Sequence, residues 1–583
     1  ALMGSLLRNL LLNCLVVVGG FAQVVVTTGS DLGGAGLSLR EAVASSGVGE
    51  TILFEESLSG EFLDLSQGEI VISKNLTIEG LGADDFISIQ GNNSSRLFRI
   101  AEGAHLTLRF LALSEGMEAA DYGGAILNEG TLTIQDCRIS NCRATSGGAI
   151  FNAGVMNCLR TGFVSNLVSS PGGLELGGGA ILSTGTTTLS HCLFSNNVAS
   201  GIIYGGGAAH CRKSSMHVSE CLFRDNRTAG SGGAIFNSGI LEVTGSTFDD
   251  NLSIDDGAAL FNEAKVTEEP VEAIVQTSTF IFNQSGSDSG AIHLSRDSQA
   301  LIENCTIAEN VAQDGGGAIE NSQGFVTISA CTIANNRARQ RGGGIFTLGQ
   351  TILKNSILSG NRISVGTNDL ERFDLPAAVF IPVGANLIEE FGNSEIADNA
   401  DPSDGPDLIL SDSALLLPLG SYGGPNLTMP PQLNSPALDA AVGSTLDIDQ
   451  RGSTRFFDPT PDIGAVEFLG VFNELYFDSD LDGISNGVEV VTGTDPLVKD
   501  LEHPGHLKIT TANGIPSLSF GYVRSTSNRY VLRILRSADL NEEEEILSSR
   551  NFFIPNSIET PFILTDKTAP ENRAFYRLEV IRR

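Results

Sequence analysis

Tryptophan is absent from this 583-residue chain, and lysine and arginine together supply only 35 residues against 69 aspartates and glutamates. The formal net charge of −34 argues against nucleic acid and anionic membranes as partners, because both bind basic surfaces. It favours solubility and the binding of divalent cations. Beyond the N-terminal region, no run approaches the roughly 20 apolar residues of a membrane-spanning helix, so the sequence predicts no transmembrane segment there.

The first 22 residues follow the pattern of a secretory signal peptide. One basic residue, Arg8, precedes an apolar run at residues 10–18, and the small residues Gly19, Gly20 and Ala22 come next. This order predicts export with cleavage after Ala22, and a short buried segment is the alternative.

A repeat organises most of the rest of the chain. Its anchor is a tetrad of three small residues and one aliphatic residue, such as residues 123–126, whose third member recurs at intervals of 24 to 32 residues. The nine third members are Ala125, Ala149, Ala180, Ala208, Ala234, Ala259, Ala291, Ala318 and Gly344. Each unit holds three short β-type runs, for example 125–128, 132–135 and 137–140. These features predict stacked coils, and hence a right-handed parallel β-helix, an all-β solenoid.

Aligning the units places chemically similar residues in columns, as stacked coils require. One column contains only small residues: Cys137, Thr161, Cys192, Cys221, Ser246, Ser278, Cys305, Cys331 and Ser356. A second column, five residues later, contains Cys142 and then Asn166, Asn197, Asn226, Asn251, Asn283, Asn310, Asn336 and Asn361. We expect these asparagines to occupy left-handed turn positions and to stack their amides along the axis. Both columns predict scaffold rather than a functional site.

The cysteines of the first column bear on the redox state of the chain. Nine cysteines in an exported protein would usually indicate disulfides, but sharing a column with serine and threonine favours buried free thiols. Cys192 with Cys221, and Cys305 with Cys331, would lie about 5 Å apart, which permits a disulfide without requiring one. No C-x-x-C spacing indicates zinc.

Tetrads alternate with F-x-x-N motifs along the chain. The tetrads at 147–150 and 232–235 alternate with motifs at 163–166, 194–197, 223–226 and 248–251. This pattern resembles the repeats of chlamydial polymorphic outer membrane proteins, and it is similar to many bacterial β-helix surface proteins. The resemblance covers residues 24 to about 365 and is specific for architecture rather than activity. It implies a secreted or cell-surface location, outside a bacterial cell or on its outer membrane.

The start of the solenoid is predicted within residues 23–113, as a cap followed by about two or three degenerate coils. Ser38 and Glu41 form a capping-box pattern that predicts a short helix ending near Ser46, before Gly47. Such a helix would cover the open apolar end of the first coil. Residues 37–42 are similar to the CSLREA segment that begins many β-helix proteins, with Leu37 in place of the cysteine.

Regular coils are predicted for residues 114–365, with extra residues at 167–177 and 263–273. We expect these two insertions to project as loops and to form a variable binding surface, and tolerated insertions are the alternative. A small β-sandwich-like domain is predicted for residues 506–583, where alternating apolar runs are separated by turn residues.

A C-terminal cap is predicted for residues 366–470. Ordered motifs there, among them 418–425 and 462–467, are similar to the choice-of-anchor Q region that closes many β-helix chains. Four charged residues within it are Asp439, Asp449, Arg451 and Asp462. We expect them to form a buried charge and hydrogen-bond network rather than an active site.

The clearest chemical signal lies in the linker predicted for residues 471–505. The candidate metal ligands are Asp478, Asp480, Asp482, the Ile484 carbonyl, Asn486 and Glu489. This order, with Gly483 at the sharp turn, delivers from one loop the oxygens that Ca²⁺ prefers, and Asp495 is the candidate for a further ligand. The continuation is similar to bacterial thrombospondin type 3 calcium repeats, which implies a structural Ca²⁺ rather than a sensor. An acidic linker is the alternative.

Charged residues at matched positions on adjacent coils are the candidates for catalysis. Asp225 and Asp250 lie one coil apart, at a spacing compatible with a retaining glycosidase pair. His191 and Glu220, also on adjacent coils, would form an acid and a base. All four also fall at turn edges, where solvated polar residues are the ordinary interpretation.

The outward positions of the coils are mostly threonine, serine and glutamine: Thr133, Gln135, Ser190, Ser219, Thr244, Gln276 and Ser329. Such a surface suits hydrogen bonding to a glycan more than catalysis. The leading hypothesis is a monomeric adhesin-like or glycan-binding rod whose partner is a polysaccharide or a host or neighbour cell-surface ligand. A polysaccharide lyase or glycoside hydrolase, and a structural envelope spacer without ligand, are the alternatives.

Overall fold

The computed structural model describes residues 24–468, with gaps at 33, 84, 170–176, 201–204, 264–271, 375, 377, 393–406, 433 and 456–459. It also describes the backbone of six strands between residues 508 and 582. The predicted signal peptide, most of both predicted insertions and the predicted calcium loop lie outside the described residues.

Three parallel sheets run along one stack of coils. Over most of the length of the stack, each coil contributes strands to all three sheets. The long sheet takes a short strand and then a longer strand from each coil, and its 24 strands are Val24–Val26, Thr51–Phe54, Ile70–Ile72, Leu76–Glu79, Phe98–Ile100, His105–Arg109, Ile126–Asn128, Thr131–Gln135, Ile150–Asn152, Val155–Leu159, Ile181–Ser183, Thr186–Ser190, Ala209–Ser219, Ile235–Thr244, Leu260–Asn262, Glu272–Gln276, Ile292–Leu294, Gln299–Glu303, Ile319–Asn321, Phe325–Ser329, Ile345–Thr347, Gln350–Lys354, Leu370–Arg372 and Val379–Val383.

The other two sheets complete each coil. The side sheet comes next along the chain, with 14 strands at Phe62–Asp64, Ile87–Gln90, Leu111–Ser114, Arg138–Ser140, Gly162–Val164, Leu193–Ser195, Leu222–Arg224, Thr247–Asp249, Thr279–Ile281, Thr306–Ala308, Thr332–Ala334, Ile357–Ser359, Asn386–Ile388 and Leu408–Leu410. The narrow sheet has eight strands at Met117–Tyr122, Arg143–Ser146, Leu167–Val168, Val198–Ala199, Arg227–Thr228, Leu252–Ser253, Gln284–Ser285 and Val311–Ala312. The predicted parallel β-helix is therefore confirmed.

The narrow sheet is the part of the coil that the sequence did not predict. Six of its eight strands are two residues long, which is too short to produce an alternating pattern. The other three runs of each unit are strands as predicted. In the unit that begins at residue 125 they are Ile126–Asn128, Thr131–Gln135 and Arg138–Ser140.

The core is a continuous apolar column inside the coils. On the strand Thr131–Gln135, Leu132 and Ile134 point inward and are fully buried, and their parallel partners on the next coil are Met156 and Cys158. Alternation of this kind on every coil fixes the register, because a slip of one residue would turn all apolar side chains outward.

A stack of phenylalanines fills the core behind the side sheet. Phe163, Phe194, Phe223, Phe248 and Phe280 lie on successive coils, and all five are fully buried. Their ring centroids are 4.5 to 4.8 Å apart and the rings are within 5° of parallel. The spacing of the rings equals the spacing of parallel strands, so the coil repeat itself brings them into stacking contact.

The asparagine column forms a hydrogen-bonded ladder. The Nδ2 of Asn226 donates to Oδ1 of Asn251 on the next coil at 3.0 Å, and the backbone N–H of Asn226 donates to the same oxygen at 3.1 Å. The Nδ2 group also donates to the carbonyl of Phe194 at 2.9 Å. Each fully buried amide therefore has partners on both sides, as buried polar groups require.

The ladder residues themselves do not occupy left-handed turns, which corrects the sequence expectation. In each coil the positive φ falls on the residue before the ladder, for example Asn196 at 56° and Asn335 at 58°. The ladder ends at Asp369, whose carboxylate accepts from both the backbone N–H and the Nδ2 of Asn361. Burial raises the pKa of Asp369 to about 6.

Two further predictions are confirmed at the N-terminal end and in the cysteine column. The helix Leu39–Ser45 begins at a capping box in which Ser38 and Glu41 exchange side-chain and backbone hydrogen bonds, and its buried face joins the core. The eight described cysteines are buried free thiols. Cys192 and Cys221 come close, since the Cys192 backbone N–H lies 3.3 Å from the Cys221 sulfur, without forming a disulfide.

Residues 366–470 were expected to close the end of the solenoid, and the structure arranges them differently. The chain first forms another coil, with Leu370–Arg372, Val379–Val383 and Asn386–Ile388 on the established sheets. Residues 411–468, here called the C-terminal segment, then run back along the outer surface of the side sheet. This segment covers a side of the rod.

A column of threonines on the side sheet holds the C-terminal segment in place. The hydroxyls of Thr247, Thr279 and Thr306 donate at 2.5 to 2.8 Å to Asn426 Oδ1, the Leu427 carbonyl and Gln450 Oε1. On the next coil, the hydroxyl of Thr332 accepts the Ala465 N–H at 3.0 Å. Apolar contacts add to these bonds, because Leu419, Leu427 and Met429 pack on Ile281, Ala308 and Ala334.

Buried ion pairs give the C-terminal segment its own internal structure. The predicted burial is confirmed for Asp449, Arg451 and Asp462 but is wrong for Asp439, whose side chain is exposed. Arg451 and Asp449 pair at 2.7 Å, and Arg455 and Glu467 pair at 2.6 Å, with all four side chains nearly inaccessible. Asp462 accepts the backbone N–H of Asp439 at 2.7 Å. Burial raises the pKa of Glu467 to about 7.

The six strands near the C-terminus form two antiparallel sheets of three strands. One consists of Lys508–Ala512, Ile515–Phe520 and Phe562–Thr565, and the other of Glu545–Asn551, Tyr530–Ser537 and Phe575–Arg582. An antiparallel, all-β arrangement is what the alternating runs predicted for residues 506–583. Two small elements complete the description of the β-helix. Arg362–Ile363 and Gly366–Thr367 form a two-stranded hairpin. Glu56–Leu58 is a 3₁₀ turn.

Replacing Asn251 by alanine should lower the free energy of unfolding by about 2 to 3 kcal/mol, because the buried amide of Asn226 and the carbonyl of Phe223 would lose partners. Urea unfolding followed by circular dichroism measures the change. Asn157→Ala, on the exposed outer face of the long sheet, is the control and should cost less than about 0.5 kcal/mol. Equal losses in the two variants would contradict a stabilising role for the ladder.

Candidate functional site

The four residues predicted for catalysis lie in two columns of sharp turns. His191 and Glu220 are the turn residues between the long sheet and the side sheet, and Asp225 and Asp250 are the turn residues after the side sheet. All four have φ between 52° and 56°, in the left-handed region. The structure thus brings each predicted pair together on adjacent coils but places both pairs at turns.

His191 and Glu220 form a solvent-exposed pair. The distance from His191 Nε2 to Glu220 Oε2 is 2.9 Å, and the two side chains are 49% and 53% exposed. Ser190 Oγ lies 2.9 Å from the other ring nitrogen, Nδ1. Ser190 therefore adds a third polar group to the pair, and the whole arrangement is open to solvent.

Asp225 and Asp250 interact directly. Burial raises the pKa of Asp250 to about 6, and the charge of Asp225 and a hydrogen bond to it add to the effect. Two hydrogen-bonded carboxyl groups are closer than the roughly 5 Å that separates the carboxyls of retaining glycosidases. The pair can share a proton, and its catalytic role stays a prediction.

Metal ligation was predicted for residues 478–489 and Asp495, which lie outside the described residues. Within residues 24–468, as far as they are described, no three His, Cys, Asp or Glu side chains converge as a metal site. The predicted calcium ligands therefore stay a prediction as well.

The outer face of the long sheet is open, and its character changes along the rod. The central outward column begins with polar residues and ends with aliphatic ones: Thr77, Thr107, Thr133, Asn157, Thr188, His217, Glu242, Ile274, Leu301, Thr327, Ile352 and Ile381. Of the outward positions predicted to be polar, Thr133 lies in this column. The other six, Gln135, Ser190, Ser219, Thr244, Gln276 and Ser329, lie in the neighbouring outward column, which is mostly polar as far as Lys354. In the central column, polar residues are concentrated in the N-terminal half. At its end, His217 Nδ1 lies 2.7 Å from Glu242 Oε2, and both side chains are about half exposed.

A second outward column stands at the bend of each coil, directly after the tetrad. We call it the bend column, and its members are Leu127, Phe151, Leu182, His210, Phe236, Phe261, His293, Glu320 and Phe346. Aromatic contacts link four consecutive members: His210 with Phe236, Phe236 with Phe261 and Phe261 with His293, at centroid distances of 4.9, 5.0 and 4.9 Å. Phe151 and Phe261 remain partly exposed.

Residues that precede the tetrad face the bend column from the turn. Tyr122 stacks on Phe151 with a centroid distance of 4.7 Å, and the guanidinium of Arg341 lies 4.7 Å from the ring centroid of Phe346. Between these ends, Asp256 and Asp288 occupy the same turn position on neighbouring coils. They lie closest to His293 and Glu320 of the bend column.

These four residues form an acidic cluster: Asp256, Asp288, His293 and Glu320. Burial raises the pKa of Glu320 to about 9, and the charge of Asp288 adds to that rise. Burial also lowers the pKa of His293, against the opposing charge of Asp256. Glu320 therefore keeps its proton at neutral pH.

Residues 220–238 match the family described as Chlamydia polymorphic membrane protein (Chlamydia_PMP) repeat. The matched residues run from the turn at Glu220 through Phe223 and Asn226 to the next tetrad and Phe236. The predicted resemblance to chlamydial repeats is thus confirmed for one repeat. No curated protein matches the chain.

The repeat match and the parallel β-helix are consistent with a surface β-helix protein. None of the helices that the structure describes has the length and hydrophobicity needed to cross a membrane.

Sequence reasoning missed the bend column and the acidic cluster. The signal was present, because Asp256 and Asp288 directly precede tetrads, and Phe261, His293 and Glu320 directly follow them. It was overlooked because the tetrad itself was treated as turn and strand scaffold. Only the folded structure shows that the residue before one tetrad lies next to the residue that follows the tetrad of the next coil.

Glu320→Gln should change how stability depends on pH. The native wild-type carboxyl keeps its proton up to about pH 9, whereas the unfolded chain loses it near 4.5, so the stability contribution of this group falls as pH rises between those values. The variant lacks that loss, and its stability relative to wild type should increase over the same range. Urea unfolding at several pH values tests this. Asn157→Ala is the control, and its stability difference from wild type should be the same at every pH because it changes no titratable group.

Proposed function

We propose that this protein is an exported rod, secreted or held at the cell surface, that binds glycans on the outer face of its long sheet. One observation carries the proposal: the C-terminal segment covers the side sheet from the coil of Thr247 to that of Leu387, whereas every outward side chain of the long sheet's central column is at least partly exposed in the described part of the chain. An open, rigid and regular face is what a protein that presents a binding surface needs.

The chemistry of that face supports a polymeric ligand rich in hydroxyl groups. Thr133, Asn157, Thr188 and His217 lie on consecutive coils and offer donors and acceptors at one-coil intervals of about 4.8 Å. The rigid backbone orders these groups before binding, which reduces the entropy lost on association. A polysaccharide, or a glycan on a host or neighbouring cell, has repeating sugar units whose hydroxyl groups can form hydrogen bonds with this repeating row of side chains.

Calcium belongs to the proposal as a structural ion. Its ligands would be Asp478, Asp480, Asp482, the Ile484 carbonyl, Asn486 and Glu489, with Asp495 as a further candidate. A hard cation in this loop would neutralise carboxylates that otherwise repel one another and would fix the linker between the β-helix and the C-terminal strands. The support for the ion is the order of oxygen ligands in the sequence.

The binding face is tested with the triple variant Thr133→Ala, Asn157→Ala, Thr188→Ala. On a panel of cellulose, xylan, chitin, polygalacturonate and alginate, wild type should bind at least one polymer, and the variant should bind it at least about tenfold more weakly, because three hydrogen-bonding groups are lost. Arg138→Ala with Leu193→Ala, on the exposed part of the side sheet, is the matched control.

Three outcomes separate the alternatives. Binding without cleavage, lost only in the triple variant, supports the glycan-binding rod. Release of reducing ends that disappears in Asp225→Asn, Asp250→Asn or Glu220→Gln assigns a hydrolase, and release of unsaturated products assigns a lyase. No binding to any polymer leaves the rod as a spacer and contradicts the proposal.

Calcium binding is measured on the full chain by isothermal titration calorimetry. Asp482→Asn should weaken Ca²⁺ binding at least about tenfold, because it removes one anionic ligand from the loop. Asp412→Asn, an exposed carboxylate in the C-terminal segment, should leave the affinity unchanged. Equal Ca²⁺ affinity in wild type and Asp482→Asn would refute the site.

A further inference from the structure

The acidic cluster at the bend is built from the backbone of three consecutive coils. Asp256 Oδ1 accepts the N–H of Asp288 at 3.0 Å, and Asp288 Oδ1 accepts the N–H of Gly315 at 2.9 Å. Each aspartate thus commits one oxygen to the next coil. Since both side chains are only partly buried, their remaining oxygens are available to a ligand.

Glu320 stands behind these aspartates with an unsatisfied oxygen. Its side chain is only 4% exposed, and Oε1 accepts the hydroxyl of Ser322 at 2.7 Å. Among the described residues, no ordinary donor reaches Oε2. Its polar neighbour is the carboxyl of Asp288, and two carboxyls can hold this contact only by sharing a proton.

Gly315 keeps a small cradle open between the two carboxyls. A Cβ at this position would lie 3.2 Å from Glu320 Oε2, 3.2 Å from Phe346 Cδ1 and 3.4 Å from Asp288 Oδ1. Two carboxyl oxygens and the edge of an aromatic ring therefore border one point. The backbone of Gly315 does not require glycine, because its φ is not in the left-handed region. The missing side chain leaves space rather than relieving backbone strain.

The composition of this site favours an organic ammonium group over a metal ion or an anion. In the described residues, no three carboxylate or imidazole ligands converge as a hard metal ion requires. Phe346 meets the cradle with its ring edge, and the guanidinium of Arg341 lies over the same ring at 4.7 Å, so an organic cation already packs against this part of the bend column. An anion would meet the charges of Asp256 and Asp288.

We propose that the acidic cluster binds the protonated amino group of an amino-sugar polymer. This inference rests on the proposed glycan-binding function and names the class of sugar at one subsite. Asp256 and Asp288, the two partly buried carboxyls of the cluster, pair with the ammonium group.

Binding is linked to the proton that Asp288 and Glu320 share. The other charged or titratable groups around this pair are Asp256, His293 and Asp314, with Arg341 next to Gly315 on the following coil. The ammonium charge favours ionisation of Glu320, so this carboxyl gives up its proton to solvent when the ligand arrives. Affinity therefore rises with pH until the amino group of the sugar itself loses its proton. No covalent bond forms or breaks.

The experiment compares two hexasaccharides on the full chain by isothermal titration calorimetry at about pH 6, where Glu320 holds its proton. Fully deacetylated chitosan hexamer should bind at least about tenfold more tightly than the N-acetylated chitin hexamer, because only the former carries ammonium groups. Asp288→Asn and Gly315→Ala should each weaken chitosan binding about tenfold, by removing a charge and by filling the cradle. Glu56→Gln, an exposed carboxylate near the N-terminus, is the charge-matched control.

A second readout separates binding from mere folding. Titrations in two buffers with different ionisation enthalpies should show proton release on chitosan binding by wild type. Glu320→Gln should bind chitosan within about threefold of wild type and release no proton. A circular dichroism spectrum that matches wild type and a single cooperative melting transition establish that each variant folds.

The outcomes distinguish this inference from the proposed function. Equal affinity for chitosan and chitin, or unaltered chitosan binding in Asp288→Asn, overturns the ammonium site. If the triple variant of the long sheet still loses its polysaccharide in that case, the glycan-binding rod stands without this subsite. Mg²⁺ or Ca²⁺ binding that Asp288→Asn abolishes would assign a metal site and overturn the amino-sugar proposal.

Discussion

Vertical superposition of like residues is the constraint on which the whole rod depends. An asparagine amide can donate to the coil above and below only if the next coil presents another carbonyl oxygen at the same place, as Asn251 does for Asn226. The phenylalanine stack obeys the same requirement, since its 4.5 to 4.8 Å ring spacing is the strand spacing. One misplaced coil would leave buried amides unpaired and open a cavity in the same step, so register and stability are inseparable here.

This constraint also decides where the molecule has chemical freedom. Inward positions are restricted to residues that stack, whereas turn residues and outward columns are not. His191, Glu220, Asp225 and Asp250 are all turn residues in the left-handed region, and their polarity follows from that location without any catalytic role. The bend column differs from them, because its residues face outward yet are largely covered by the preceding turn. Burying a charged group there costs free energy, and Asp288 and Glu320 lower that cost by sharing a proton.

The sequence predicted features that repeat and missed features that occur once or are very short. Nine tetrads and eight asparagines made the parallel β-helix, its register and the buried cysteines readable. The left-handed residue was misassigned by one position, because an asparagine column fits both a turn and a ladder and only the φ angles separate them. Narrow-sheet strands such as Val198–Ala199 are too short to have a pattern.

The position of the C-terminal segment depends on contacts between residues more than 130 apart, such as Ala465 with Thr332, which no local pattern encodes. The acidic cluster was missed for a similar reason, since Asp288 and Glu320 meet only after a complete coil has been closed.

The return of the C-terminal segment has a mechanical consequence. A solenoid pulled from its ends would ordinarily peel one coil at a time, because each coil contacts only its neighbours. Here the C-terminal segment lies across several coils, and its residues between 426 and 465 form hydrogen bonds with Thr247, Thr279, Thr306 and Thr332. Load applied along the axis must therefore break several of these threonine contacts before the coils that they join can separate. The C-terminal half of the rod is therefore cross-linked along its side, and it should resist extension better than the coils that precede it.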